Sequence, residues 1–155
     1  MPIFSVDYRL APKYPYPDPI NDCFQAYVWI LTQAKDQLGM DIESFVFAGD
    51  SAGGHLTISV AMLCILRGVT PPCGLVPLYP VLNLNLNRFY PSNLMFTDDE
   101  VLSAGFVAFC KACISRKGGN AEHDPILSPL EAPDALLRLL PPTTFIVCEI
   151  DGLRD

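Results

Sequence analysis

The stretch Ser44-Phe45-Val46-Phe47-Ala48-Gly49-Asp50-Ser51-Ala52-Gly53-Gly54 decides the fold. Its first five residues are apolar almost throughout, as expected of a central strand covered on both faces. Residues 52–67 read as a helix that is apolar nearly all round and therefore buried. Between strand and helix lies Gly49-x-Ser51-x-Gly53. As a bare pattern this arises by chance in about one chain in twenty of this length, so its specificity comes from the strand-to-helix setting. A nucleophilic serine must project its hydroxyl at the tip of a sharp, strained turn, and glycines on either side avoid collisions with neighbouring backbone. Ser51 is thus the candidate nucleophile, with Gly49, Asp50 and Gly53 forming its elbow. The Ala52 backbone N–H, at the helix start, is placed to stabilise an oxyanion on an attacked carbonyl.

Outward from this turn, short apolar runs alternate with helical patterns. Ile3 to Tyr8 reads as a strand, and Asp18-Pro19 as an N-cap followed by proline at the first helical position. Ile20, Cys23, Phe24, Tyr27, Leu31, Ala34 and Leu38 then form one apolar stripe, and Gly39 supplies a left-handed stop. Gly74 to Tyr79 is a third strand, weakened by Pro77, and Thr143 to Glu149 a fourth. Thr97-Asp98-Asp99-Glu100 has the spacing of a capping box, predicting a helix with Val101, Leu102, Phe106, Phe109, Cys110 and Cys113 on one stripe and an end at Gly118. The alternation predicts an α/β fold, a mostly parallel sheet with crossover helices.

Composition narrows the function. The 10 Lys and Arg against 17 Asp and Glu leave a net charge of −7, and only Arg116-Lys117 are adjacent cations, so the chain offers no track for a nucleic-acid backbone. The purest apolar run, Leu56 to Leu66, is too short to span a bilayer, and prolines 71, 72, 77 and 80 break the stretch that follows, so no transmembrane segment is expected. Six cysteines are too few for a disulfide scaffold and read as ordinary buried thiols. With no basic, apolar leader at Met1 to Arg9, they point to the cytoplasm. Cys110-x-x-Cys113 falls well inside its predicted helix on the apolar stripe, away from the helix N-terminus that would lower a thiol pKa, and lacks a second ligand pair for zinc. It reads as packing, and no metal or organic cofactor is expected.

Four landmarks in order carry a resemblance. Val6-Asp7-Tyr8-Arg9-Leu10-Ala11-Pro12, Gly49 to Gly54, Asp124-Pro125 with Ser128-Pro129-Leu130, and Leu140-Pro141-Pro142 followed by Asp151-Gly152-Leu153-Arg154-Asp155 together resemble the VDYRLAP, GDSAGG, DPxxSPL and LPP…DPLRD segments of the hormone-sensitive-lipase-like branch of the α/β-hydrolases. Gly152 stands where that family usually has Pro, Lys13 where it has Glu, and His55 where it has Asn. The resemblance implies a three-layered, partial α/β-hydrolase domain over residues 1–155. It further implies a serine carboxylic-ester hydrolase, esterase or lipase, acting on a small-molecule ester or lipid, with Ser51 as nucleophile and Asp151 as the acid that orients a histidine. In that family an HGGG motif precedes the VDYRLAP strand and the catalytic histidine follows the acid. Neither is in the sequence, so the chain reads as the middle of a catalytic domain of roughly 300 residues. On the family's sheet order the HGGG strand lies between the first two strands here, leaving a central gap. His55 falls inside the buried helix and His123 in a polar loop; both read as non-catalytic. The alternative reading is a non-catalytic ligand-binding protein on the same scaffold, like the gibberellin receptors. Oligomeric state is open.

Overall fold

The structure, a computed structural model, describes residues 2–115 and 119–155. The predicted helix end at Gly118 and the Arg116-Lys117 pair lie outside the described residues. Helix α1 (Asp18–Leu38) begins one residue earlier than its cap signal: Pro17 holds the N-cap position and Asp18 is the first helical residue. The Asp18 carboxylate faces Arg9 at 3.8 Å instead of capping the helix. Gly39 ends the helix at φ 65° as expected, its N–H meeting the Lys35 carbonyl at 3.1 Å. Ile20, Phe24, Tyr27 and Ala34 of the stripe are buried, while Leu31 and Leu38 are 40% and 46% exposed.

Strand β1 (Val46–Asp50) pairs in parallel with β2 (Gly74–Leu78), in register from Val46↔Gly74 to Asp50↔Leu78. Tyr27 sits edge-on to Phe45 and Phe47, with ring centres 5.2 and 4.8 Å away, which seats α1 on one face of the sheet. Helix α2 (Ala52–Leu66) packs against α1 and both strands, and every residue from Gly54 to Cys64 is buried. An all-apolar helix is stable only in such a place, since any outward face would be wasted in water. No described helix is long and apolar enough to cross a membrane.

A third parallel segment lies beyond β2. Leu75 bridges Thr143 and Leu78 bridges Ile146, with Leu75 N–H donating to Pro142 O (3.0 Å), Thr144 N–H to Leu75 O (2.9 Å) and Ile146 N–H to Pro77 O (3.1 Å). Pro77 has no N–H to return, so the ladder is interrupted midway and residues 143–146 touch β2 as two bridges, not as the continuous strand expected from Thr143 to Glu149.

Three expectations are corrected. Ile3–Tyr8 forms no strand: it has no ladder partner among the described residues, and Ile3 is 85% exposed. Its anchorage comes from Arg9, which grips Asp22 of α1 with Nε and Nη2 at 2.8 and 2.7 Å. β1 starts two residues later than expected and is covered on one face only; Val46 is 57% exposed. Of the three layers, the described residues build the sheet and the α1–α2 layer. Thr97–Glu100 opens no helix. Asp99 Oδ1 instead accepts the Val101 and Leu102 N–H groups at 2.8 and 2.6 Å, a local turn that competes with helical bonding. Helix α4 (Ala104–Ile114) begins after it, with Ser103 capping the Phe106 N–H, and buries none of its residues. A short α3 (Pro91–Met95) was not anticipated; α5 (Asp134–Leu137) follows a single 3₁₀ turn at Pro129–Glu131.

One polar hub ties these pieces together. Asp124 accepts Ile126 N–H (2.9 Å) on Oδ1 and Tyr16 O–H (2.6 Å) on Oδ2, and its carbonyl accepts Ser128 N–H (2.9 Å). The buried Ser128 hydroxyl accepts Leu84 N–H at 3.1 Å. Leu127 O in turn lies 3.0 Å from His55 Nε2 of α2, with Ser59 Oγ at 3.2 Å from the same nitrogen. Removing the Tyr16 hydroxyl should cost about 1–3 kcal/mol, because a partly buried carboxylate loses a donor; a Tyr16→Phe chain with an unchanged urea midpoint would show that the hub carries no stability.

Burial pushes the His55 imidazole down to about 4, against the weaker opposing effect of its bond to Leu127 O. The unfolded chain therefore takes up a proton near pH 6.5, which the folded chain refuses until near pH 4. Stability from this group is complete above pH 6.5 and is lost as the pH falls toward 4, by roughly 3 kcal/mol in all. Denaturant titrations across this window should show that loss in the native sequence and a shallower one in His55→Gln.

Candidate active site

Ser51 follows the last residue of β1 and precedes the first residue of α2, so the whole turn from strand to helix is made at one residue. Its φ of 50° and ψ of −113° lie in a region that side chains rarely adopt, a strain of about 1–3 kcal/mol. Two bonds hold it: Ser51 N–H donates to Leu78 O at the end of β2 (2.9 Å), and Ser51 O accepts His55 N–H in the first turn of α2 (3.0 Å). The hydroxyl is left at the tip, partly exposed.

The glycines divide by role. A Cβ on Gly49 would stand 2.6 Å from the carbonyl carbon and oxygen of Gly53, and one on Gly54 3.0 Å from Leu78 O and Pro80. Gly49 admits no side chain, and one at Gly54 would need its neighbours to give way by a few tenths of an ångström. A Cβ on Gly53 would meet only Asp50 Oδ1, at 3.9 Å, so the collision expected at Gly53 does not occur there. The tight packing is at Gly54, one residue beyond the G-x-S-x-G pattern. Ala52 is the first helical residue, so its N–H has no acceptor within the helix and faces the open end of the turn.

Asp151 lies beyond the C-terminal end of the third segment, as Ser51 lies beyond that of β1. All three run parallel, so both residues follow the C-terminal ends of their segments, toward the same edge of the sheet. Asp151 Oδ1 accepts Leu153 N–H at 2.8 Å, leaving Oδ2 for another donor. Asp151 lines a cavity of about 120 Å³ together with Tyr79, Leu82, Lys111, Phe145 and Val147. Burial lowers the Lys111 ammonium pKa there. Tyr79, at φ 33°, is a second strained residue next to the elbow, its N–H bonded to Ile146 O at 2.6 Å. Sequence reasoning passed it over, since nothing in a Leu-Tyr-Pro run marks a positive φ.

Neither histidine joins Ser51 to Asp151. His55 is buried against Leu127 and Ser59, and His123 is exposed in a turn where its N–H meets Asn120 O. Cys110 is exposed and Cys113 half-buried, so the packing role expected for them is not met on α4. Of the six free cysteines only Cys64 is buried. Among the described residues no cluster of three or more His, Cys, Asp or Glu side chains is arranged to hold a metal.

The geometry agrees with what the chain is similar to. The family model described as alpha/beta hydrolase fold matches residues 1–155. Hormone-sensitive lipase of Mus musculus is 39% identical over 124 residues, 80% of this chain and 16% of the lipase. Carboxylesterase NlhH of Mycobacterium tuberculosis is 33% identical over 153 residues, 99% of this chain and 47% of that enzyme. Among solved structures, the hyperthermophilic esterase of Pyrobaculum calidifontis superposes with a TM-score of 0.87 at 34% identity, covering 97% of this chain and 48% of that one. The chain spans half or less of the length of the relatives it matches. With that family model matched over the whole chain and a hormone-sensitive lipase 39% identical over most of it, the chain belongs to the alpha/beta hydrolase fold family, on its hormone-sensitive-lipase-like branch.

Proposed function

We propose that residues 1–155 are the nucleophile-and-acid portion, a single partial domain, of a serine carboxylic-ester hydrolase acting on uncharged acyl esters. The observation that carries the reading is the backbone of Ser51, a strained conformation held from both sides with its hydroxyl at the tip. In this reading Ser51 Oγ attacks the ester carbonyl while a histidine outside these residues takes its proton. The Ala52 N–H supports the developing oxyanion, and Asp151 holds the imidazole in the required tautomer. The ester C–O bond breaks as the alcohol departs with the histidine's proton, water then hydrolyses the acyl-serine to release the acid and restore Ser51, and no cofactor takes part in that sequence. Esterase and lipase names among the relatives support the substrate class. Exposed, unpaired thiols at Cys73, Cys110 and Cys148 favour a reducing compartment such as the cytoplasm.

The test is a chimera in which residues 1–155 replace the matching stretch of the Pyrobaculum calidifontis esterase. It should hydrolyse p-nitrophenyl esters, and Ser51→Ala should abolish turnover. Asp151→Asn should lower kcat by about four powers of ten through the wrong histidine tautomer. Full turnover in Ser51→Ala overturns the assignment. The 155-residue chain by itself should be nearly inert, because loss of the histidine costs a serine hydrolase triad about six powers of ten in kcat; chimera-like, Ser51-dependent turnover by the isolated chain would place the proton acceptor among His55 and His123 instead.

A further inference from the structure

The loop that carries Asp151 leaves the sheet after residue 146 and turns back on itself within five residues, with internal bonds from Leu153 N–H to Asp151 Oδ1 (2.8 Å), Arg154 N–H to Asp151 O (3.2 Å) and the Arg154 guanidinium to Glu149 O (3.0 Å). What holds it from outside is α3, some sixty residues earlier. Asn93 Nδ2 donates to Gly152 O, and the Ser92 hydroxyl donates to the same carbonyl at 3.3 Å. Ser92 N–H donates to Asp155 Oδ2 at 2.8 Å, and that contact holds the Asp155 carboxyl below the usual range. Ser92 is fully buried. The orientation of the Asn93 amide is set independently: Tyr90 N–H, which can only donate, faces Asn93 Oδ1 at 2.8 Å, so the NH₂ must turn to the Gly152 carbonyl. Tyr90 is in turn fixed by Asn83 Nδ2, 2.9 Å from its hydroxyl.

We propose that Asn93, supported by Ser92, is a positioning residue for the triad acid, acting through the Gly152 carbonyl next to Asp151. The inference rests on the triad reading of Asp151. Gly152 has no side chain with which to pack its own peptide, and these two donors hold its carbonyl, one residue past the acid, from outside the loop. A carboxylate free to swing would hold the imidazolium less well in the transition state, where a misplacement of about 1 Å costs about a hundredfold.

The test uses the chimeric esterase and two variants. Asn93→Ala loses both of its bonds. Asn93→Asp keeps the acceptor for Tyr90 N–H, and so keeps the start of α3, but turns an anionic oxygen on the Gly152 carbonyl. If the restraint acts on Asp151, both variants lose ten- to hundredfold in kcat with KM little changed. The acid limb of kcat/KM moves to lower pH, because a displaced carboxylate stabilises the imidazolium less, and Asn93→Asp loses as much rate as Asn93→Ala while melting closer to the parent. A kcat and pH profile equal to the parent's in Asn93→Asp overturns the inference, as does a rate loss that merely follows the melting temperature. Asp151→Asn separates the two readings: if it retains activity the triad assignment fails, and if it is dead while Asn93→Asp is unimpaired only the role of Asn93 fails.

Discussion

The bond from Ser51 N–H to the carbonyl of Leu78 is the constraint on which the rest depends. A serine at φ 50° is not stable on local grounds, and no residue of the turn itself could keep it there. It persists because β1 and β2 are paired in parallel up to Asp50↔Leu78, so the last carbonyl of β2 arrives beside the turn with its lone pair unused. The same closeness explains the glycines. Gly49 and Gly54 are forced by backbone less than about one van der Waals contact away, and one of the atoms concerned is again Leu78 O.

For the turn to be held, α2 must stay where it is, and its position is a matter of burial. Eleven successive buried residues from Gly54 to Cys64 leave it no face for water. Of its buried polar groups His55, Thr57 and Ser59, His55 reaches out to Leu127 and so joins the helix to the Asp124 hub, the closing of α1's leading loop through Tyr16, and the 3₁₀ turn that follows Ser128. Electrostatics enter as a consequence. The imidazole is kept neutral by the desolvation that the packing imposes, which suits a structural donor and disqualifies it as a base at neutral pH.

On the opposite side of the site the sheet is thin. Pro77 cannot donate, so the segment leading to Asp151 is attached to β2 by two bridges, and the acid's own loop turns within a few residues. Beyond that short ladder, Ser92 and Asn93 of α3 tie the loop at the Gly152 carbonyl. Among the described residues Val46, Phe106 and Phe109 are exposed.

Much of this was legible in one dimension. The elbow, the buried helix after it, the Gly39 stop and both partners of the parallel pair follow from period, glycine placement and flanking apolar runs, because each rests on backbone geometry within a few residues. The helix at Pro91 had a local signal that went unread, a proline at the first helical position with asparagine two residues on. The failures have a different origin. Thr97–Glu100 satisfies a helix-start spacing, yet Asp99 finds its donors two and three residues ahead and makes a turn instead. Ile3–Tyr8 has strand composition without a neighbour to pair with, and a strand is defined by its neighbour. By itself, then, the sequence determined which residues could carry chemistry and the handedness of the unit that presents them. Only the tertiary structure decided that Gly54 is the packed glycine where Gly53 is not, that His55 is a strut, and that Asn93 and Ser92 meet the Gly152 carbonyl next to Asp151. Those are distances between residues far apart in the chain, which no local pattern encodes.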